Sequence, residues 1–156
     1  MISILRPGHE PLEIDFILVD FDGTLASDGR VHPKAKDKLN LLAKRARIYI
    51  LAKEEKERVE EILKRVKAEV VYIAEGGACQ AKSDLVRRIG ASRTVAIGNG
   101  MEDASMIEEA GLGICMLGKE GTATSSLQKA DLVFTSILDA LDFLLKPLRQ
   151  KGTLGK

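Results

Sequence analysis

Six short apolar runs, near residues 12–19, 47–52, 70–74, 94–97, 113–117 and 132–135, alternate with segments of helical pattern along this 156-residue chain. A strand that returns through a helix runs parallel to its predecessor, because a parallel pair needs a long crossover and a helix supplies it. The alternation therefore predicts an α/β, Rossmann-like three-layer fold, with a mainly parallel central sheet between two helix layers. Residues 2–5 and 12–19 flank Arg6-Pro7-Gly8-His9-Glu10-Pro11, whose prolines and glycine signal a turn. A short N-terminal antiparallel strand pair is expected there. Helices are expected from Pro33 to about Arg45, over Glu54–Lys67, Ala81–Ile89 and Ala104–Ala110, and over Ile137–Lys146, where Pro147 ends the last one. The length suits one domain over residues 1–150, with 151–156 as a flexible tail and fraying from Gln150 onward.

Charge excludes some partners. The chain carries 24 basic and 23 acidic side chains, net +1, so no global field favours nucleic acid or an anionic membrane. No apolar run approaches the roughly 18 residues of a membrane span, and no secretion signal is visible, so the cytoplasm is the expected compartment. Cys79 and Cys115 lack metal-ligand spacing and read as buried, reduced thiols. His9 and His32 read as loop histidines, Glu75 as a cap or loop charge, and the Lys53–Lys67 charges as a solvated helix face.

Chemistry enters at Phe16-Ile17-Leu18-Val19-Asp20-Phe21-Asp22-Gly23-Thr24-Leu25, where a buried-type strand ends in two aspartates and a glycine. Desolvated carboxylates are costly unless a cation compensates, and oxygen ligands from paired acids suit Mg²⁺. In parallel sheets ligands bind beyond the carboxyl ends of the strands. Asp20 and Asp22 follow the first core strand, Ala52 and Lys53 end the second, and Asn99 and Asp103 follow the fourth. If the first and fourth strands are neighbours, these groups converge. Asp20 can then act as a nucleophile on phosphorus, and Asp22 as acid and later base. Gly23 permits the sharp turn, Thr24 offers a hydroxyl and an N–H to a phosphoryl oxygen, and Lys82 can supply a point charge. Asp20, Asp22 and the Gly98–Asp103 loop are the candidate metal ligands.

Val19-Asp20-Phe21-Asp22-Gly23-Thr24-Leu25 resembles the first motif of the haloacid dehalogenase superfamily of aspartate-nucleophile phosphatases. Ala96-Ile97-Gly98-Asn99-Gly100-Met101-Glu102-Asp103 is similar to its fourth motif, and Lys82 lies where the third-motif lysine falls. The whole layout resembles the small soluble relatives of P-type ATPase phosphorylation domains. The resemblance implies Mg²⁺-dependent hydrolysis of phosphate monoesters through an aspartyl-phosphate, with Asp20 as nucleophile and Asp22 as acid/base. It also puts Asn99 and Asp103 at the two acidic positions of the fourth motif. Two departures stand out: Ala52 replaces the second-motif Thr or Ser, and Asn99 stands where many relatives carry Asp. A hydrogen bond to a charged oxygen contributes about 1.5–3 kcal/mol, so the missing hydroxyl slows turnover by roughly one to two powers of ten. Lys53 is the nearest residue that can compensate. The spacings from Asp22 to the second strand and from Ala52 to Lys82 are filled by core elements, leaving no room for a cap domain. An uncapped site suits a phosphoprotein, or a small phosphorylated metabolite covered by a neighbouring copy in a homo-oligomer. The contrasting reading is an impaired relative that binds phosphate or protein as a regulator, or as an accessory to a P-type ATPase-like system.

Overall fold

The computed structural model describes residues 1–53 and 55–154. Its strands are β1 (Ile2–Ile4), β2 (Leu12–Ile14), β3 (Phe16–Asp20), β4 (Arg47–Ala52), β5 (Glu69–Tyr72), β6 (Thr94–Gly98), β7 (Leu112–Met116) and β8 (Leu132–Phe134). The helices are α1 (Pro33–Leu42), α2 (Lys56–Ile62), α3 (Ala78–Ile89), α4 (Ala104–Glu109), α5 (Thr124–Lys129), α6 (Ile137–Leu145) and α7 (Pro147–Leu154). As expected, β1 and β2 pair antiparallel, with Ile2 opposite Ile14. The remaining six strands form one sheet in the order β5-β4-β3-β6-β7-β8, and every pairing in it is parallel. Neighbouring β4 and β6 therefore flank β3, and the condition for convergence is met.

The sheet is covered on both sides, which is why its central strands are apolar throughout rather than alternating. Ile17 and Val19 of β3 join a core with Leu39 and Leu42 of α1 and Leu141 and Phe143 of α6. Leu18 points the other way, into a core with Leu85 and Val86 of α3 and Met106 and Ile107 of α4. Asp20, on the same side as Leu18 by strand alternation, thus ends facing α3.

Several boundaries differ from expectation. Helix α3 begins at Ala78, three residues early, because Gly76 and Gly77 both take positive φ (79° and 75°) and turn the chain directly into it. Helix α2 is shorter than residues 54–67, ending before Arg65, which adopts φ 70°; Glu54 lies outside the described residues. Helix α5 was not anticipated. The tail expected to fray from Gln150 is helical to Leu154, and Gln150 is buried: its side-chain amide donates to the Phe143 carbonyl at 2.9 Å and its oxygen accepts from Leu5 N–H at 3.2 Å. Residues 155 and 156, the end of that expected tail, lie outside the described residues. Cys115 is buried, but Cys79 is only half-buried, in the first turn of α3 with its thiol on Ser105 Oγ. Both histidines are exposed, and His32 also caps α1, its Nδ1 accepting from Lys34 N–H at 3.0 Å. Among the described residues no helix is long and apolar enough to cross a membrane.

Candidate active site

At the end of β3 the chain folds back on itself. Leu25 N–H donates to the Asp20 carbonyl at 3.2 Å and Ala26 N–H to the Phe21 carbonyl at 2.7 Å. Gly23 makes this possible with φ +76°, and a Cβ there would come within 2.7 Å of Asn99 Nδ2. The turn leaves Asp20 7 % exposed, Thr24 buried and Asp22 half-exposed.

Lys82 reaches this strand end from α3. A charged residue in that helix reads most simply as solvated, yet Lys82 is 2 % exposed. Its ammonium donates to Asp20 Oδ1 and to Asp103 Oδ1, both at 2.8 Å. Asp103 sits in a short 3₁₀ turn, Met101–Asp103, after β6. Its other oxygen accepts the Asn99 and Gly100 backbone N–H groups at 3.0 and 3.1 Å. Gly98 lies so close that a Cβ would fall 2.5 Å from Asp103 Cγ. The loop is braced from behind by a region that sequence reasoning missed: Ala123 N–H donates to the Asn99 carbonyl, and Ser126 Oγ of α5 to the Gly100 carbonyl. Thr24 Oγ1 donates to Asn99 Oδ1 at 3.0 Å, and Asn99 Nδ2 donates to the Gly121 carbonyl at 3.1 Å.

Two buried carboxylates share one ammonium, and this imbalance sets the electrostatics. Burial pushes Asp20 up to about 7, helped by repulsion from Asp103 and Asp22 and opposed by Lys82. Burial disfavours the Lys82 charge, but Asp103 and Asp20 outweigh it and hold the ammonium protonated well above its ordinary range.

The remaining candidates lie on the β4 side. Ala52 is buried at the strand end, as expected, and presents only a methyl group. Lys53 does not point away from the site loops: its ammonium pairs with Glu102 of the 3₁₀ turn. That partnership carries no signature in sequence.

Among the described residues no three His, Cys, Asp or Glu side chains are grouped as a ready metal site. The donors that do gather are hard oxygens, namely the carboxylate of Asp20, the groups of Asp22 and the amide oxygen of Asn99. They lie about the carboxyl end of β3, where two buried carboxylates share the single Lys82 ammonium, so the donor set fits a divalent ion such as Mg²⁺. Asp103, with both oxygens committed to Lys82 and two amides, stands behind this set.

Comparison with known proteins agrees with this architecture. A family of haloacid dehalogenase-like hydrolases matches residues 79–136, the stretch that carries Lys82 and the Gly98–Asp103 loop. An uncharacterised protein of Methanocaldococcus jannaschii is 43% identical over 61 residues, a match covering 39% of this chain and 66% of that protein, just under two thirds of its length. The 3-deoxy-D-manno-octulosonate 8-phosphate phosphatase of Moraxella catarrhalis, solved with magnesium, phosphate and the sugar acid, superposes with a TM-score of 0.71. That alignment has 16% identity and covers 87% of this chain and 88% of that one. The corresponding phosphatase of Haemophilus influenzae, in a cobalt-bound form, gives a TM-score of 0.69 at 15% identity, covering 91% of each chain. At such identities the likeness is one of fold. Among the described residues only a loop and α1 separate Asp22 from β4, and only α2 and β5 separate β4 from α3, so the fold is the small, capless form.

Proposed function

We propose that the chain, whose residues 79–136 match a family of haloacid dehalogenase-like hydrolases, hydrolyses phosphate monoesters through a covalent aspartyl-phosphate. The observation that carries this reading is the buried Asp20–Lys82–Asp103 cluster at the carboxyl end of β3, with Asp22 two residues beyond Asp20. In the first half-reaction Asp20 attacks phosphorus while the ester oxygen departs and takes a proton from Asp22. In the second, Asp22 removes a proton from water as it attacks the aspartyl-phosphate, releasing inorganic phosphate and restoring both carboxyl groups. The half-exposed position of Asp22 suits a group that exchanges protons, whereas Asp20 is held in place by Lys82. Lys82 offsets charge that builds on the transferring group, and Thr24, whose hydroxyl is engaged with Asn99 Oδ1, offers its backbone N–H to a phosphoryl oxygen. Asp20, Asp22 and Asn99 would hold Mg²⁺, which when bound neutralises negative charge between nucleophile and phosphoryl oxygens.

The absence of a cap among the described residues leaves room for a phosphoprotein or a small phosphorylated metabolite. The octulosonate 8-phosphate phosphatases that share the fold make sugar phosphates the first compounds to test. A screen of such esters with Mg²⁺ or EDTA, comparing wild type with Asp20→Asn, decides the matter. Metal-dependent turnover lost by at least about a thousandfold in the variant is expected. Turnover that persists in EDTA, or in Asp20→Asn, would sink the mechanism, and binding without turnover in wild type would favour a regulator.

A further inference from the structure

The carboxyl end of β4 carries a methyl group, Ala52, which offers no donor to a phosphate. The neighbouring residue carries a cation, and its position is unusual. Lys53 directly follows β4, Glu102 follows β6, and β3 lies between those two strands in a sheet whose strands all point the same way. An ion pair between the loops after β4 and β6 must therefore cross over the end of β3, where Asp20 lies. The Lys53 side chain is a quarter exposed and that of Glu102 43 % exposed, so the pair spans the mouth of the site rather than its floor. Glu102 is also adjacent in sequence to Asp103, which grips Lys82, so the pair is tied to the same rigid turn as the buried cluster.

Building on the phosphatase reading, we infer that Lys53 is the phosphate-binding cation of this site in place of the missing hydroxyl, with Glu102 as its positioning and competing partner. A phosphoryl group arriving at Asp20 finds no donor on Ala52, whereas the Lys53 ammonium, paired with Glu102 across the end of β3, lies within reach of the same mouth. The flexible four-carbon stem lets that ammonium exchange one anion for another without moving the backbone. Glu102 and the phosphoryl oxygens compete for the same charge. The carboxylate therefore keeps the cation over the site while weakening the affinity for phosphate, and only anions with more charge than a carboxylate displace it efficiently.

Equilibrium binding of inorganic phosphate, measured by calorimetry at fixed Mg²⁺ and pH, tests this without requiring the natural substrate. Losing a charged hydrogen bond predicts that Lys53→Met raises Kd roughly ten- to hundredfold, while Lys53→Arg stays near wild type. Removing an exposed competitor predicts that Glu102→Gln lowers Kd by about two- to fivefold. The double variant should match Lys53→Met alone, since Glu102 acts only through Lys53. Phosphate binding that is indifferent to Lys53→Met overturns the inference, as does Glu102→Gln weakening binding or keeping an effect when residue 53 is Met. If turnover depends on Asp20 while phosphate binding ignores Lys53, this inference alone falls. If wild type neither binds phosphate nor turns over any ester, the phosphatase reading falls with it.

Discussion

Ala52 is the residue at which this site departs most clearly from what its chemistry asks for. Its methyl group is buried at the end of β4, beside the nucleophile's strand, and packs into the core shared with α1 and α6. Ala52→Ser is expected to leave kcat/KM on the best ester within about twofold of wild type, because the added hydroxyl enters that core rather than the site. Its cost in urea unfolding is expected at about 1–3 kcal/mol, the penalty of a buried hydroxyl without a partner. A rise in kcat/KM of about tenfold, the value of one charged hydrogen bond, would instead place the side chain of residue 52 against the phosphoryl group. Asp20 and Asp22 were legible in the sequence because an apolar run that ends in acids contradicts the rules of burial unless a site is there. Asp103 was legible as a candidate site acid from its loop and the motif that loop resembles, but its grip on Lys82 was not, and neither was the pairing of Glu102 with Lys53. Which oxygen faces inward to Lys82, and which side chain reaches Lys53, is decided by the 3₁₀ turn, and no periodicity announces a three-residue turn.

That turn is itself held by an exclusion. Gly98 has an ordinary φ, so its glycine is required by space: a Cβ would sit 2.5 Å from Asp103 Cγ and 2.6 Å from Asp103 Oδ2. Gly98→Ala must displace Asp103, breaking its bond to Lys82 and its two amide bonds. It is expected to cost about 2–4 kcal/mol of stability and more than roughly tenfold in turnover. Gly100→Ala is the control: a Cβ there meets only Asp103 Oδ2 at 3.7 Å, and near wild-type values are expected. Urea titrations and initial rates of the two variants separate a packing requirement from a general intolerance of the loop. The elements that sequence reasoning missed share a cause with this turn, because their stability comes from partners far along the chain. Helix α5 opens with Thr124-Ser125-Ser126, poor helix formers, and is anchored by Ser126 on the Gly100 carbonyl. Pro147 was read as a stop, but it stops α6 and also opens α7, where its fixed φ fits the first helical position. Gln150 then ties α7 to Leu5 and Phe143, contacts that link both ends of the chain.

The parallel order of the sheet brings residues 20, 53, 82 and 103 to the carboxyl end of its strands, where two buried carboxylates share one buried ammonium. Surface pairs such as Arg47–Glu69 and Arg87–Asp84 are well exposed and contribute little to stability. The pH response of the metal-free protein near neutrality should therefore be dominated by Asp20. Its carboxyl is raised from the ordinary 3.8 to about 7 by burial and by the Asp103 and Asp22 charges. Between those values the folded state holds a proton that the unfolded chain has released, so stability falls as pH rises through this window and levels off above it. Lys82 is shifted upward and stays protonated throughout, so it adds no slope there. Asp20→Asn removes the titrating group yet leaves Lys82 balanced by Asp103. In EDTA the variant should match wild type near pH 4 and become the more stable of the two as pH rises. The gap should plateau above pH 7 at about 2–4 kcal/mol, up to the free energy equivalent of the raised value. Urea unfolding of both proteins from pH 4 to pH 8 measures the gap directly. A constant difference across that range would show that Asp20 ionises normally and that the cluster's charge is already balanced.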